Sequence, residues 1–171
     1  MASMAPGDFL RLIFRDGRGW LCVAKIHRLN GQGFSQKFFR YPDEFETAIA
    51  YIEQSDSYGV DLYFCPHLLA RPERKKEHAL AGSVLWADLD ECHPSNLGRY
   101  GEAKPTLVVQ TSEGRWQAYW FLSKVLAPPQ IEELNHRIAL AYKDVGCDQS
   151  GWDISQLLRL PTKNWKRVSD G

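Results

Sequence analysis

Gly82-Ser83-Val84-Leu85-Trp86-Ala87-Asp88-Leu89-Asp90 is an apolar run that closes on two carboxylates with one residue between them. Side chains alternate along a strand, so Asp88 and Asp90 project to one side, with Val84 and Trp86 preceding them on that face. Like charges placed so close repel unless one takes up a proton or a cation sits between them, and a divalent ion held by oxygen ligands meets that need. The same pair also suits the polar exit of a buried strand. The rest of the chain has to separate the two readings.

At 171 residues the chain is long enough for one domain, or one domain with a subdomain, around a proper core. Its 44% hydrophobic and 25% charged residues are those of an ordinary globular protein, and six Trp make it rich in aromatics. Lys and Arg (21) balance Asp and Glu (21), so a globally basic nucleic-acid coat is excluded and any polyanion must be met by local patches. Four scattered cysteines without a Cys-x-x-Cys pair predict free thiols in a reducing compartment. No long apolar span or signal peptide is present, which predicts a cytoplasmic protein with no membrane partner. The abrupt stop after Lys163-Asn164-Trp165-Lys166-Arg167 suggests a chain cut from a longer protein.

Along the chain, Phe9 to Phe14 is expected to be a strand, Asp16 to Gly19 a turn, and Trp20 to His27 the second strand of that hairpin. Asp43 with Glu46 has the spacing of a capping box for a helix that presents Phe45, Ala48, Ile49 and Ile52 on one face. Val60 to Cys65 is β-rich, and Pro66 to Ala79 is polar and irregular. After the Gly82–Asp90 strand come a loop from Pro94 to Lys104, a strand from Thr106 to Gln110, a turn at Ser112-Glu113-Gly114 and a strand from Arg115 to Leu122. Turn chemistry makes the last two an antiparallel hairpin, with Trp116 and Trp120 on one face. Pro128 and Pro129 open a helix carrying Ile131, Leu134, Ile138, Ala141 and Tyr142, and Ile154 to Leu160 is expected to be a short helical segment. The pattern predicts one α+β unit with a mostly antiparallel sheet backed by helices.

A third carboxylate, Asp153, stands at the start of that last segment, where an acid is also a plain helix cap. Arg159, Lys163, Lys166 and Arg167 follow it closely. A carboxylate triad beside cations is the layout of two-metal phosphoryl or nucleotidyl transfer, in which metals about 3.5–4 Å apart flank the reacting phosphate. A charge run alone is more often a solvated face. Arg71, Arg74, Lys75 and Lys76 form a second basic strip, where template phosphates would bind in a protein of zero net charge. Cys65, His67, His78, Cys92 and His93 lack recognised zinc spacing and are assigned core and surface roles. Trp116 and Trp120 could stack bases, but the core is the expected destination of both.

Val84 to Asp90, then Gln110-Thr111-Ser112-Glu113-Gly114-Arg115-Trp116-Gln117, then Gly151-Trp152-Asp153-Ile154-Ser155-Gln156-Leu157-Leu158-Arg159-Leu160-Pro161 resemble, in order, the three motifs of archaeo-eukaryotic-type primases. The resemblance is to the plasmid and phage primase-polymerase branch, including replication-initiator primase domains, and covers roughly residues 60–166. It implies an RRM-like sheet joined to a smaller N-terminal α/β unit, one catalytic domain over residues 1–171 from the N-terminal part of a replication protein. The implied activity is that of a DNA primase and DNA-directed polymerase, a nucleotidyltransferase making or extending primers on single-stranded DNA from NTPs or dNTPs. Mg²⁺ or Mn²⁺ is the implied cofactor, and a fused or associated helicase an implied partner. Asp88, Asp90 and Asp153 match the catalytic, metal-binding acids, and Asp148 is a second candidate for the third position. Ser112, Arg115, Gln117, Arg159, Asn164 and Lys166 match nucleotide-binding positions. Ser112, Arg115 and Gln117 stand where many of these enzymes carry His, and Pro161-Thr162-Lys163-Asn164 lacks their usual Gly.

Two other classes compete on the same residues. A non-catalytic RRM-like module would bind single strands with its acids idle, and a metal-dependent nuclease would leave the cations beside Asp153 without a triphosphate. A rolling-circle nickase is disfavoured because no His-x-His pair is present to hold its metal.

Overall fold

A computed structural model describes residues 4–28, 33–98 and 104–163 of the chain. The fold is α+β. Its first element corrects the expected strand at Phe9–Phe14: Pro6–Phe14 is a helix, α1. Pro6 sits in the first turn, where its missing N–H costs nothing, and the buried set Phe9, Leu10, Ile13 and Phe14 has helical rather than alternating spacing. Gly19–His27 (β1) therefore pairs not with that segment but with Phe34–Tyr41 (β2). Phe45–Ser55 (α2) buries Phe45, Ala48 and Ile52 as expected. The capping box does not form: Glu44 instead accepts from the Arg40 N–H at 2.6 Å, and Glu46 pairs with Arg11 at 2.9 Å.

Val60–Phe64 (β3) joins β1 on its other side. Gly82–Asp90 (β4), Leu107–Ser112 (β5) and Arg115–Leu126 (β6) form a separate antiparallel sheet in the order β4-β6-β5. Pro128–Ala141 (α3) packs on β4 through Ile131, Asn135 and Ala139. The expected short helix at Ile154–Leu160 is the second correction. Leu158–Arg159 is instead a strand, β7, paired with Tyr63 and Phe64, which completes a four-stranded antiparallel sheet β2-β1-β3-β7. Asp153 starts no helix, because its Oδ1 accepts from Ser155 N–H at 2.8 Å and Ser155 Oγ at 2.6 Å in a tight local turn.

Helix α1 locks the two sheets together. The Phe9 ring meets Phe64 of one sheet at 5.2 Å and Tyr119 of the other at 5.5 Å, so one core serves both. Arg15, at the end of α1, donates to Ser83 O and Oγ on β4 at 2.8 and 2.7 Å. Trp120 is buried, while Trp116 is half-buried with its ring 4.9 Å from His93. The four cysteines are buried, and burial pushes the thiols of Cys22, Cys65 and Cys147 up to about 12. Among the described residues no helix is long and apolar enough to cross a membrane.

Candidate active site

The carboxyl ends of β4 and β3, with β7 and the β5–β6 turn, enclose a cleft of about 480 Å³. Asp88 and Asp90 both line it, as the alternation argument requires, although a bulge separates them: the ladder shifts register and Asp90 takes a left-handed φ of 48°. The Asp90 N–H points at Asp88 Oδ1 over 3.4 Å, and Arg115 pairs with Asp90 at 3.0 Å. Asp88 is the strained group of the site. Burial pushes its carboxyl up to about 6, the neighbouring charges of Asp148 and Asp90 push the same way, and the Asp90 N–H and Arg115 oppose them.

The third position has two candidate acids, Asp148 and Asp153. Asp148 N–H donates to Asp88 O at 3.0 Å, and the Asp148 side chain is held by Ser150 N–H and Oγ, both at 2.9 Å. Gly151 allows the approach: a Cβ there would stand 3.0 Å from Asp88 Cβ and 3.3 Å from Asp148 Oδ2. Trp86 Nε1 donates to Gly151 O at 3.1 Å, and buried Asn135 accepts from Trp86 N–H at 2.9 Å while donating to Trp152 O at 3.3 Å. These bonds seat the Cys147–Trp152 segment against β4. Asp153 is not part of the cleft lining, and its charge acts on His67, Cys65 and Lys76. His67 itself is buried, held in its neutral form by that burial, and bonded to Ile154 O.

The opposite wall of the cleft is cationic. Asp61 on β3 is buried yet accepts from two guanidinium groups, Arg28 Nε at Oδ2 and Arg159 Nη2 at Oδ1, the latter at 2.5 Å. Two cations on one carboxylate leave a net positive edge, and the Tyr63 ring lies 5.8 Å from the Arg159 guanidinium. Arg159 thus reaches the cleft from a strand, not along a helix edge from Asp153. Its Nε is buried with no hydrogen-bond partner among the described residues. Gln117, pairing with Asp88 across β4–β6, is buried and its Oε1 accepts from Arg159 N–H at 3.1 Å and Tyr119 OH at 3.3 Å. Its oxygen therefore links the two sheets. Ser112 is buried in the cleft lining, and Arg115 is exposed at its rim. Asn164 and Lys166 lie outside the described residues.

Arg28, Asp61 and Tyr63 were not singled out from sequence. The available signal was Asp61 itself: an acid within an apolar strand that alternates Val60, Leu62 and Phe64 inward must be paired if it is buried. The strip from Arg71 to Lys76 is not in the cleft. Lys75 pairs with Glu73 at 2.7 Å, Lys76 with Glu132 at 3.0 Å, and Arg74 bonds Gln36 at 2.7 Å and the Ser155 carbonyl, while Arg71 is exposed.

In this α+β fold two antiparallel sheets clasp a cleft with acids on one wall and arginines on the other. The profile of the RepB DNA-primase N-terminal domain matches residues 65–171, and the chain belongs to that family. Similar solved structures agree on the fold. The primase RepB′ is 18% identical with a TM-score of 0.62, over 91% of this chain and 48% of that one. The catalytic domain of primase RepB′ in complex with initiator DNA is 15% identical, TM-score 0.64, over 93% and 76%. The archaeo-eukaryotic primase domain of the cyanophage S-2L primase-polymerase is 13% identical, TM-score 0.63, over 89% and 78%. The chain thus spans about half the length of the first of these. No curated protein sequence matches it.

Proposed function

We propose that the chain performs DNA-templated nucleotidyl transfer, making or extending primers on single-stranded DNA from nucleoside triphosphates. One observation carries this reading: a single cleft sets Asp88 and Asp90 across from the Arg28–Asp61–Arg159 cluster. Acids alone would suit a nuclease. The facing guanidinium groups supply what a triphosphate needs, bidentate donors for several phosphate oxygens.

Whether the acids suit a divalent ion can be asked of the donors themselves. Among the described residues no three potential ligands are already gathered at coordination distance. The donors nonetheless fit in kind. They are hard carboxylate oxygens, and burial first, with the charges of Asp148 and Asp90 adding to it, raises the Asp88 carboxyl to about 6, a penalty on the ionised acid that a cation beside it relieves. Asp88, Asp90 and Asp148 would hold Mg²⁺ or Mn²⁺, which when bound would lower the barrier to attack by a hydroxyl and stabilise the leaving pyrophosphate. The chain's own residues do the rest. Arg159 and Arg28 grip phosphate oxygens, Asp61 fixes both guanidinium groups, Gln117 fixes the Arg159 backbone, and Arg115 exchanges Asp90 for substrate as the site fills.

The deciding experiment is primer synthesis on unprimed single-stranded DNA with each nucleotide set and each metal. Metal-dependent products of several nucleotides are expected, and degradation of the DNA with no product would favour the nuclease. Arg159→Ala should cost about 2–4 kcal/mol in triphosphate affinity or turnover, the loss of a charged phosphate donor in a half-dry site. Lysine at that position should restore only part, since it returns the charge without the fork. Triphosphate titration in Mn²⁺ checks both variants, and an unchanged curve for Arg159→Ala would remove it from the site.

A further inference from the structure

On the side of the four-stranded sheet that faces away from α1 and α2, Ile26 of β1 and Phe34 of β2 sit opposite each other across the ladder, 36% and 50% exposed. Together they make a small apolar patch on an otherwise polar edge of the sheet. The strand alternation that buries Leu62 and Phe64 turns Asp61 and Tyr63 to this same side, because Ile26 pairs with Asp61 and Ala24 with Tyr63. Phe34 and Tyr63 are therefore separated by β1 and offset by two residues along it, roughly 12 Å apart by strand geometry, far enough to serve two different bases.

The face is positive as well as aromatic. Arg28 stands at its end with its side chain 41% exposed, and Arg74 lies across it, held by Gln36 of β2. Among the described residues on this side of the strands the acid is Asp61, which is buried and neutralised by Arg28 and Arg159. The face also continues into the cleft, since Arg28 and Tyr63 belong to both.

We propose that this face is the platform for the template: a single strand crosses it with unpaired bases stacked on Phe34 and Tyr63 beside Ile26, phosphates near Arg28 and Arg74, and its end led into the cleft. This rests on the primase reading above and places the template on the sheet, with Arg74 as the one residue of the Arg71–Lys76 strip that the proposal uses. A duplex hides its base faces, so exposed rings among cations fit an unpaired strand, and stacking of this kind tolerates any sequence.

Binding of fluorescent oligothymidylate, followed by anisotropy in EDTA at several salt concentrations, tests it. The double variant Ile26→Ala/Phe34→Ala should bind about tenfold more weakly or worse, the range for lost base stacking. Its salt dependence should match wild type because no phosphate contact is removed. Phe34→Trp should keep full affinity, and its added indole emission should be quenched by the strand. Triphosphate titration in Mn²⁺ should be unchanged in both. Wild-type affinity in the double variant, or indole emission at position 34 that ignores the strand, overturns the platform and leaves the primase reading standing. A chain that makes primers but loses only self-association in the double variant would assign the pair to contact between copies, which also overturns it. If wild type neither binds the strand nor makes primers, the primase reading fails and takes the platform with it.

Discussion

Asp88→Asn is expected to abolish primer synthesis, by about a thousandfold or more, while making the metal-free protein more stable. The first half follows from losing a carboxylate that would hold the metal, a contribution of several kcal/mol to phosphoryl-transfer barriers. The second follows from the acid's own environment. In the folded protein burial and the charges of Asp148 and Asp90 raise its pKa from 3.8 to about 6. The native state therefore holds that proton more tightly than the unfolded chain does, and this contribution to stability is present in full below about pH 4 and lost as the pH rises through about 6. Above that range the ionised Asp88 costs about 3 kcal/mol relative to a neutral isostere, at 1.36 kcal/mol per unit. Thermal melts in EDTA between pH 4 and 7.5 should show wild type losing stability across this window and Asp88→Asn staying flatter. Adding Mn²⁺ should reverse the order, because only a chain that binds the ion gains stability from it. Near-normal synthesis by the variant would remove Asp88 from the chemistry. A melt that rises with pH in wild type would show that its carboxylate is not held in this crowded, buried state.

Much of this architecture can be read from local pattern, because the information is local. The β4 run, the Ser112-Glu113-Gly114 turn between β5 and β6, and the Pro-led α3 each carry their own periodicity and punctuation. Two segments do not. Phe9 to Phe14 is apolar enough to be read as a strand, and the sign against it is Pro6 at the helix start together with the 9, 10, 13, 14 spacing. Leu158 and Arg159 become a strand only because β3 lies beside them, a pairing of residues nearly a hundred positions apart that no local pattern encodes.

The site shows the same division. Asp88 and Asp90 are visible from their spacing. Asp61 gains its meaning only when Arg28 and Arg159 arrive from either side of it in the folded sheet. Gln117, which the resemblance matches to a nucleotide-binding position, lines the cleft and uses its oxygen to tie β6 to β7, a link that no local pattern encodes. The aromatic face of β1 and β2 was hidden for a related reason: which side of an amphipathic strand is left uncovered depends on where α1 and α2 pack.

Asp148→Asn should cripple synthesis, by about a hundredfold or more, whereas Asp153→Asn should leave most of it. Both substitutions preserve shape and keep an amide oxygen that can accept the local bonds, from Ser150 at 148 and from Ser155 at 153. Each turn should therefore survive, and what differs is the charge removed. At 148 that charge belongs to the group whose field raises the pKa of Asp88, so its loss removes one of the oxygens available to a shared cation, worth several kcal/mol when the reacting phosphate depends on it. At 153 the charge acts on His67 and Lys76 and is not among those that shift Asp88, and its loss should cost only about 1 kcal/mol through a weaker hydrogen bond to Ser155. Synthesis measured across a Mn²⁺ titration separates ligand loss from general damage: Asp148→Asn should need much more metal for half-maximal rate, and Asp153→Asn should follow the wild-type curve. The reverse pattern, with Asp153→Asn inactive and metal-starved and Asp148→Asn normal, would return the third position to Asp153 and require the segment from Gly151 to Leu157 to swing toward β4 when substrate binds.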